Sequence, residues 1–209
     1  METNTQQKNI KLKKPDNWPN PLALIAMGHD AITSDEHEKG YAAYHNRQYT
    51  IVLQEFRPLA EAGFAAAQNI LGYLSGTGVG VSKNYSKAVN WFRLAENQGF
   101  AAAQYNLGVM HREGNGVPQD YVAASQWFAR AAEQGLAEAQ YNLGVMSLEG
   151  QGAPQDYQTA HMWLNIAAMG GDEGTVKFRD LVAKELTTCQ LGAAQKMARE
   201  WFAKNYTGY

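Results

Sequence analysis

The sequence predicts an all-α fold, an α/α solenoid of helix-turn-helix repeats with a capping helix pair at each end. Residues 65–100, 101–136 and 137–172 align without a gap at a period of 36 residues. Twelve of the 36 positions are identical in all three copies, and 21 agree between the second and third. Apolar residues recur at helical spacing on both sides of a glycine-rich turn. Two short amphipathic helices cannot bury their apolar faces alone, so the copies are expected to stack on one another.

The 36-residue period also helps to place the boundaries of the remaining parts of the chain. Tyr49 and Gly63 fall 36 residues before Tyr85 and Gly99, so the register continues upstream of the first full copy. The predicted parts are a flexible N-terminal arm (1–34), an N-terminal capping helix pair (35–64), three repeats (65–100, 101–136 and 137–172) and C-terminal capping helices (173–209). Prolines and polar residues in the arm oppose both helix and strand.

A glycine stands inside the first helix of every copy, at Gly72, Gly108 and Gly144. Such a glycine costs about 1 kcal/mol relative to alanine, which predicts a close approach of two helices. The small residues expected to face the glycines are Ala88, Ala124 and Ala160.

The second helix of every copy has its own start signal. Asn84, Asp120 and Asp156 are good N-cap residues, and a tyrosine follows each of them. One face of this helix then carries a tryptophan in each copy, and burial of these rings is expected to dominate the stability of the stack. The tryptophans are Trp91, Trp127 and Trp163.

The C-terminal region predicts two more helices. Phe178, Val182 and their neighbours form one apolar stripe, and Ala194, Ala198 and Trp201 belong to another. Thr187 and Gln190 between them have the spacing of a capping box.

The segment AQYNLGVM followed by EGNGVPQDYVAASQWFARAAEQG, together with its copies, closely resembles the Sel1-like repeat family, a relative of the tetratricopeptide repeats. The resemblance implies a scaffold or adaptor that binds another protein or a peptide. One alternative of the same fold is an assembly or host-interaction scaffold in the envelope or outside the cell. A more distant one is a hydrolase of the β-lactamase-like cysteine-rich repeat type, although that type needs cysteine pairs and this chain has only Cys189.

The resemblance also implies where a partner would bind. In tetratricopeptide-like stacks, the first-helix residues turned away from the second helix line a concave face. The residues carried over by position are Asn69, Tyr73, Tyr105, Asn106, Arg112, Glu113, Glu138, Tyr141, Asn142 and Glu149. Related repeats use an asparagine before the Leu-Gly pair to hold a peptide backbone, which selects Asn106 and Asn142. The competing interpretation is that all ten are ordinary packing or surface residues of the repeat.

The composition of the chain limits the kinds of partner and the cellular location that we expect. A net charge of −2 offers no field to neutralise phosphates, so nucleic acid is not expected. No run approaches the roughly 20 apolar residues that cross a bilayer. The N-terminal segment fits a secretory signal badly, which favours the cytoplasm, while a degenerate export signal would place the chain in the periplasm or envelope. A docking role for the basic N-terminal arm, on an acidic surface or anionic lipid, is the less favoured alternative to a solvated tail.

No enzyme chemistry, metal site or cofactor is expected. Gly78 and Gly80 recur as turn residues and no strand precedes them, which argues against a phosphate-binding loop. No two histidines have a metal-ligand spacing on a helix, and no base can be assigned to Cys189.

Overall fold

The computed structural model describes residues 34–205. Across this range the chain is helical without strands, and the helices from α1 to α9 each pack on their neighbours in sequence. The all-α solenoid predicted from the repeat is therefore confirmed. The helices are α1 Ser34–His45, α2 Tyr49–Glu61, α3 Ala65–Thr77, α4 Tyr85–Glu96, α5 Ala101–Glu113, α6 Tyr121–Glu133, α7 Ala137–Glu149, α8 Tyr157–Ala167, α9 Glu173–Ala183 and α10 Thr188–Asn205. The arm proposed for residues 1–34 lies almost entirely outside the described residues.

The predicted N-caps form. The side chains of Asn84, Asp120 and Asp156 each accept a hydrogen bond from a backbone N–H in the first turn of the helix that follows. Each cap satisfies an amide that would otherwise have no partner at the helix start. These caps fix where α4, α6 and α8 begin, and therefore the length of the turn before them.

The helix glycines are sites of close contact, but the facing residue is larger than expected. A Cβ atom at Gly108 would lie 2.7 Å from the ring of Phe128, and Gly72 has the same relationship with Phe92. At Gly144 the nearest side chain is Leu164. The Ala160 carbonyl oxygen lies 3.2 Å from the same position, so the predicted small residue also faces Gly144. The glycine therefore leaves room for a whole buried side chain in addition to the close approach of the helices.

The tryptophans do not dominate the core. Phe92, Phe128 and Leu164 are completely buried, whereas the tryptophan that precedes each of them is only partly buried. Trp91, Trp127 and Trp163 each pack on a hydrophobic cluster that includes the preceding unit. Their role is therefore to join successive units, and the large side chain that is completely buried inside each unit is the neighbouring residue.

A second glycine contact joins the units at the turns. Gly116 has a positive φ of 72°, and a Cβ atom there would lie 2.7 Å from the carbonyl oxygen of Tyr85, at the start of α4. Only glycine suits both the backbone conformation and the close approach.

The C-terminal helices depart from the repeat. Their capping box forms as predicted, with Gln190 Oε1 accepting from the Thr187 backbone N–H at 2.9 Å. Both α9 and α10 have α8 as their main neighbour, rather than forming a repeat-like hairpin with each other. Asp180 occupies the position of the helix glycine, so α9 lacks the glycine beside which the other repeats pack their second helix.

Candidate partner-binding face

One stripe of side chains on α3, α5 and α7, here called the inner face, contains seven of the ten residues predicted to bind a partner. Equivalent residues lie at intervals of three or four along each helix, so they share one side of it. The stripe consists of Ala66, Asn69, Tyr73 and Thr77 on α3, of Ala102, Tyr105, Val109 and Glu113 on α5, and of Glu138, Tyr141, Val145 and Glu149 on α7.

The middle of this stripe is closed. Ala102, Tyr105 and Val109 on α5 are all buried and belong to a cluster shared with α6 and α7. A partner that approaches the inner face of the solenoid therefore cannot reach the centre of α5 without displacing its neighbours. The accessible residues lie on α3, on α7 and at the C-terminal end of α5.

Buried amides connect the three first helices. The side-chain N–H of Asn106 donates to Asn69 Oδ1 at 2.8 Å, and Asn142 donates to the hydroxyl oxygen of Tyr105 at 3.3 Å. The two bonds are equivalent, because the donor lies 37 residues after the acceptor in both. Asn142 also donates to the Glu138 carbonyl oxygen at 2.7 Å.

Burial changes what these residues can contribute to a binding site. Asn69, Asn106 and Asn142 are buried, and the hydrogen bonds of the latter two serve contacts between units or along α7. An asparagine that holds a neighbouring helix is not available for a peptide backbone in this conformation. The face proposed below therefore does not include direct contacts to Asn69, Tyr105, Asn106 or Asn142.

Arg112 organises the polar edge of the face. Its Nε donates to Glu113 Oε1 at 3.0 Å, and its NH1 donates to Asn142 Oδ1. The guanidinium carbon also lies 5.8 Å from the centre of the Phe128 ring. Because these contacts occupy the guanidinium group, Arg112 links α5 to α7 and does not present a free positive charge.

The phenol of Tyr105 completes this network. Burial raises its pKa to about 12, while the positive charge of Arg112 acts in the opposite direction. The hydroxyl group therefore stays protonated at neutral pH and can both accept from Asn142 and donate.

The accessible half on α7 is acidic and aromatic. Glu138 and Tyr141 are partly exposed and Glu149 is exposed. The ring of Tyr141 packs at 5.9 Å from that of Phe178 on α9. Burial raises the pKa of Tyr141, and the carboxylates of Asp172 and Glu149 raise it further. This end of the face therefore presents a neutral phenol among negative charges.

The accessible half on α3 is aromatic. The ring of Tyr73 lies 6.4 Å from that of Tyr44 on α1, which lies 6.1 Å from Tyr49 on α2. Burial raises the pKa of Tyr44, as does its hydrogen bond with Tyr73. Sequence reasoning selected Tyr73 but missed its two neighbours as parts of the face, although the 36-residue register placed Tyr49 in the N-terminal capping pair.

The described residues show no alternative chemical centre. Among them, no group of three or more His, Cys, Asp or Glu side chains could hold a metal ion. Cys189 is exposed near the start of α10. Within residues 34–205, no helix has the length and apolarity required to span a membrane.

Fold and face together define a protein of the helical repeat class, built from three equivalent units with capping helices at both ends. The Sel1 repeat family profile matches residues 65–100, 101–136 and 137–172, which together are more than half of the chain. The chain therefore belongs to the Sel1 repeat family. Members of this family are typically protein-interaction scaffolds and generally not enzymes.

Solved structures agree with this assignment. The chain is 35% identical to a Sel1 repeat protein from Oxalobacter formigenes, with a TM-score of 0.62 over 68% of this chain and 57% of that one. It is 27% identical to c5321, a protective antigen of uropathogenic Escherichia coli strains that displays an SLR fold. That match has a TM-score of 0.57 and covers 89% of this chain and 46% of the antigen. This chain thus spans about half the length of either protein, and a search of curated proteins returned no match.

Proposed function

We propose that this protein is a non-enzymatic adaptor that binds a peptide or protein partner on the two accessible parts of its inner face. The first part is the tyrosine group on α1 to α3, and the second comprises Glu138, Tyr141 and Glu149 on α7. Tyrosine offers a large contact area at low entropic cost, and flanking charges select the partner. The observation that carries the proposal is the partial exposure of these residues on either side of α5, whose Ala102, Tyr105 and Val109 are buried.

Affinity capture with a charge-reversed variant tests this function. Glu138→Lys with Glu149→Lys changes the charge of the α7 part without removing a buried side chain. Glu133→Lys with Glu185→Lys makes the same change in net charge at two exposed positions outside the face. We expect proteins captured by the wild type and by the control variant to be lost from the face variant. Equal recovery by all three would contradict the proposed face.

A second candidate is an assembly or host-interaction scaffold located in the envelope or outside the cell. It is favoured by the similarity to c5321, a protective antigen of uropathogenic Escherichia coli strains. Cell fractionation with an antibody against the purified protein separates them. A periplasmic, membrane-bound or secreted pool supports the second candidate, and a wholly cytoplasmic protein supports the first.

The distant enzymatic alternative has little support from the described residues. The lactamase-like type relies on cysteine pairs that bridge the helices of a repeat, and this chain has a single cysteine. We expect purified protein to leave a chromogenic β-lactam intact. Turnover by the wild type that persists through successive purification steps would contradict a purely adaptor role.

A further inference from the structure

The three repeats share one pair of equivalent positions, the residue just before the first helix and a residue on the second helix of the same repeat. We call these pairs the outer junctions, and they are Phe64 with Leu94, Phe100 with Arg130, and Leu136 with Ile166. At the first junction, the Gln98 side-chain amide donates to the carbonyl oxygens of Gly63 and Leu94, at 2.8 and 3.3 Å. This one side chain therefore contacts the backbone next to Phe64 and the backbone of Leu94.

At the second junction, a charged side chain covers the apolar surface. The Arg130 guanidinium lies over the Trp127 ring, 4.7 Å from its centre, and NH1 of the same group pairs with Glu96 at 3.2 Å. A cation over an aromatic face covers apolar surface while its charge remains hydrated. This junction offers no open apolar surface to a partner.

The third junction is closed by a helix of the chain itself. Ile166 is only 4% exposed and clusters with Met162 of α8 and with Ala198 of α10. The Trp201 ring packs edge-on against Trp163 at 5.2 Å. The Gln158 side chain reaches the Gln190 carbonyl oxygen at 3.4 Å, so α10 runs alongside α8 in the same direction.

The first junction is open and apolar. Phe64 is 40% exposed and Leu94 is 46% exposed, and Trp91 beside them is only partly buried. Lys87 lies two turns before Leu94 on the same face, and its ammonium group has no ion-pair partner among the described residues. The first outer junction therefore combines apolar surface with one unpaired positive charge near the N-terminal end of α4.

We infer that this first outer junction is a docking site for an amphipathic helix of a partner protein, seated on α4 as α10 is seated on α8. Small residues and an aromatic ring on the partner helix face Trp91 and Leu94, as Ala198 and Trp201 face α8. An acidic residue in the first turn of that helix meets Lys87, because the parallel orientation places the start of the helix there. Negative charge at a helix N-terminus is also favoured by the helix dipole.

A labelled peptide with the sequence of residues 187–205 is the probe, because it already carries the required stripe. Its Gln190→Glu version adds the acidic residue and keeps the capping-box geometry. We expect saturable binding of the Gln190→Glu peptide to the intact protein, measured by fluorescence anisotropy. The same peptide with Trp201→Ala should bind at least tenfold more weakly, and Lys87→Gln in the protein should remove the advantage of the glutamate.

Leu94→Arg is the decisive protein variant. Arginine is the natural residue at the equivalent position of the next repeat, so the fold accommodates it, which a thermal melt checks. We expect at least tenfold weaker binding to Leu94→Arg and unchanged binding to Val122→Arg, a matched change at an exposed residue on α6. No saturable binding, or equal binding by the two variants, would overturn the inference. Concentration-dependent self-association of the wild type that Leu94→Arg abolishes would also overturn it, by assigning the face to a second copy of the chain.

Discussion

A Cβ atom added to Gly108 would lie 2.7 Å from the ring of Phe128, closer than real side-chain contacts come. Alanine at position 108 would gain roughly 1 kcal/mol of helix propensity but would force the ring to move, at a cost of about 1 to 3 kcal/mol. We expect Gly108→Ala to lower the midpoint of thermal unfolding.

Gly192 on α10 supplies the control, because nothing lies within 4 Å of a Cβ atom there. Gly192→Ala should raise the midpoint through helix propensity alone, by an amount equivalent to about 0.5 to 1 kcal/mol. If both substitutions raise it, the close contact at Gly108 does not limit the packing of α5 on α6.

Phe128 should contribute more to stability than Trp127. The phenylalanine is completely buried inside its repeat, and the tryptophan is partly exposed between two repeats. Phe128→Ala is expected to cost about 3 to 5 kcal/mol, and Trp127→Ala less, because truncation at a partly exposed site does not leave a closed cavity. Urea unfolding of the two variants gives the order, and a larger loss for Trp127→Ala would contradict the assignment of the main core residue.

The repeat sequence predicted the helices, their N-caps and the capping box before α10, because these features depend on residues close together in the chain. It did not predict which large side chain enters the space beside Gly108, because Phe128 and Trp127 are adjacent and equally apolar. Nor did it predict that Asn106 and Asn142 are buried, since their burial depends on how closely α3, α5 and α7 approach one another. The position of α10 was likewise not predicted, although Asp180 at the glycine position contained the signal.

The first repeat differs from the other two at two positions that lie one turn apart on its first helix. Asn69 stands where the other repeats have Tyr105 and Tyr141, and Tyr73 stands one turn later, in place of a valine. The aromatic ring of α3 is thereby moved towards Tyr44, and a buried N–H group of Asn69 is left without a hydrogen-bond partner among the described residues.

A double-mutant cycle tests whether these two exchanges compensate. Asn69→Tyr alone should crowd the helix face, and Tyr73→Val alone should leave a gap, each destabilising the fold. The double variant recreates the pair found in the other repeats and should be more stable than the sum of the single effects, by about 0.5 to 3 kcal/mol. Additive effects in urea unfolding would show that the two positions are independent.

Stability should fall on mild acidification because of His161 on α8. The side chain is buried, and its Nδ1 has no hydrogen-bond partner among the described residues. Burial lowers its pKa, the Arg179 guanidinium lowers it further, and the Asp180 carboxylate acts in the opposite direction. The unfolded chain binds a proton near pH 6.5, at a pH where the folded chain still holds the neutral ring. The unfolded state therefore gains protons first, and stability decreases as the pH falls from about 6.5 towards the lowered pKa.

The measurement is the unfolding midpoint between pH 7.5 and 5.5 for the wild type and for His161→Val, with valine taken from the equivalent buried position at Val89. We expect the unfolding midpoint of the variant to depend less steeply on pH.

Burial also lowers the pKa of His111, so this residue too reduces stability as the pH falls. His111→Ser, the residue of the other two repeats, should therefore flatten the profile further when combined with His161→Val. Parallel profiles for the wild type and the double variant would contradict a role for these two histidines, and would assign the acid sensitivity to other groups.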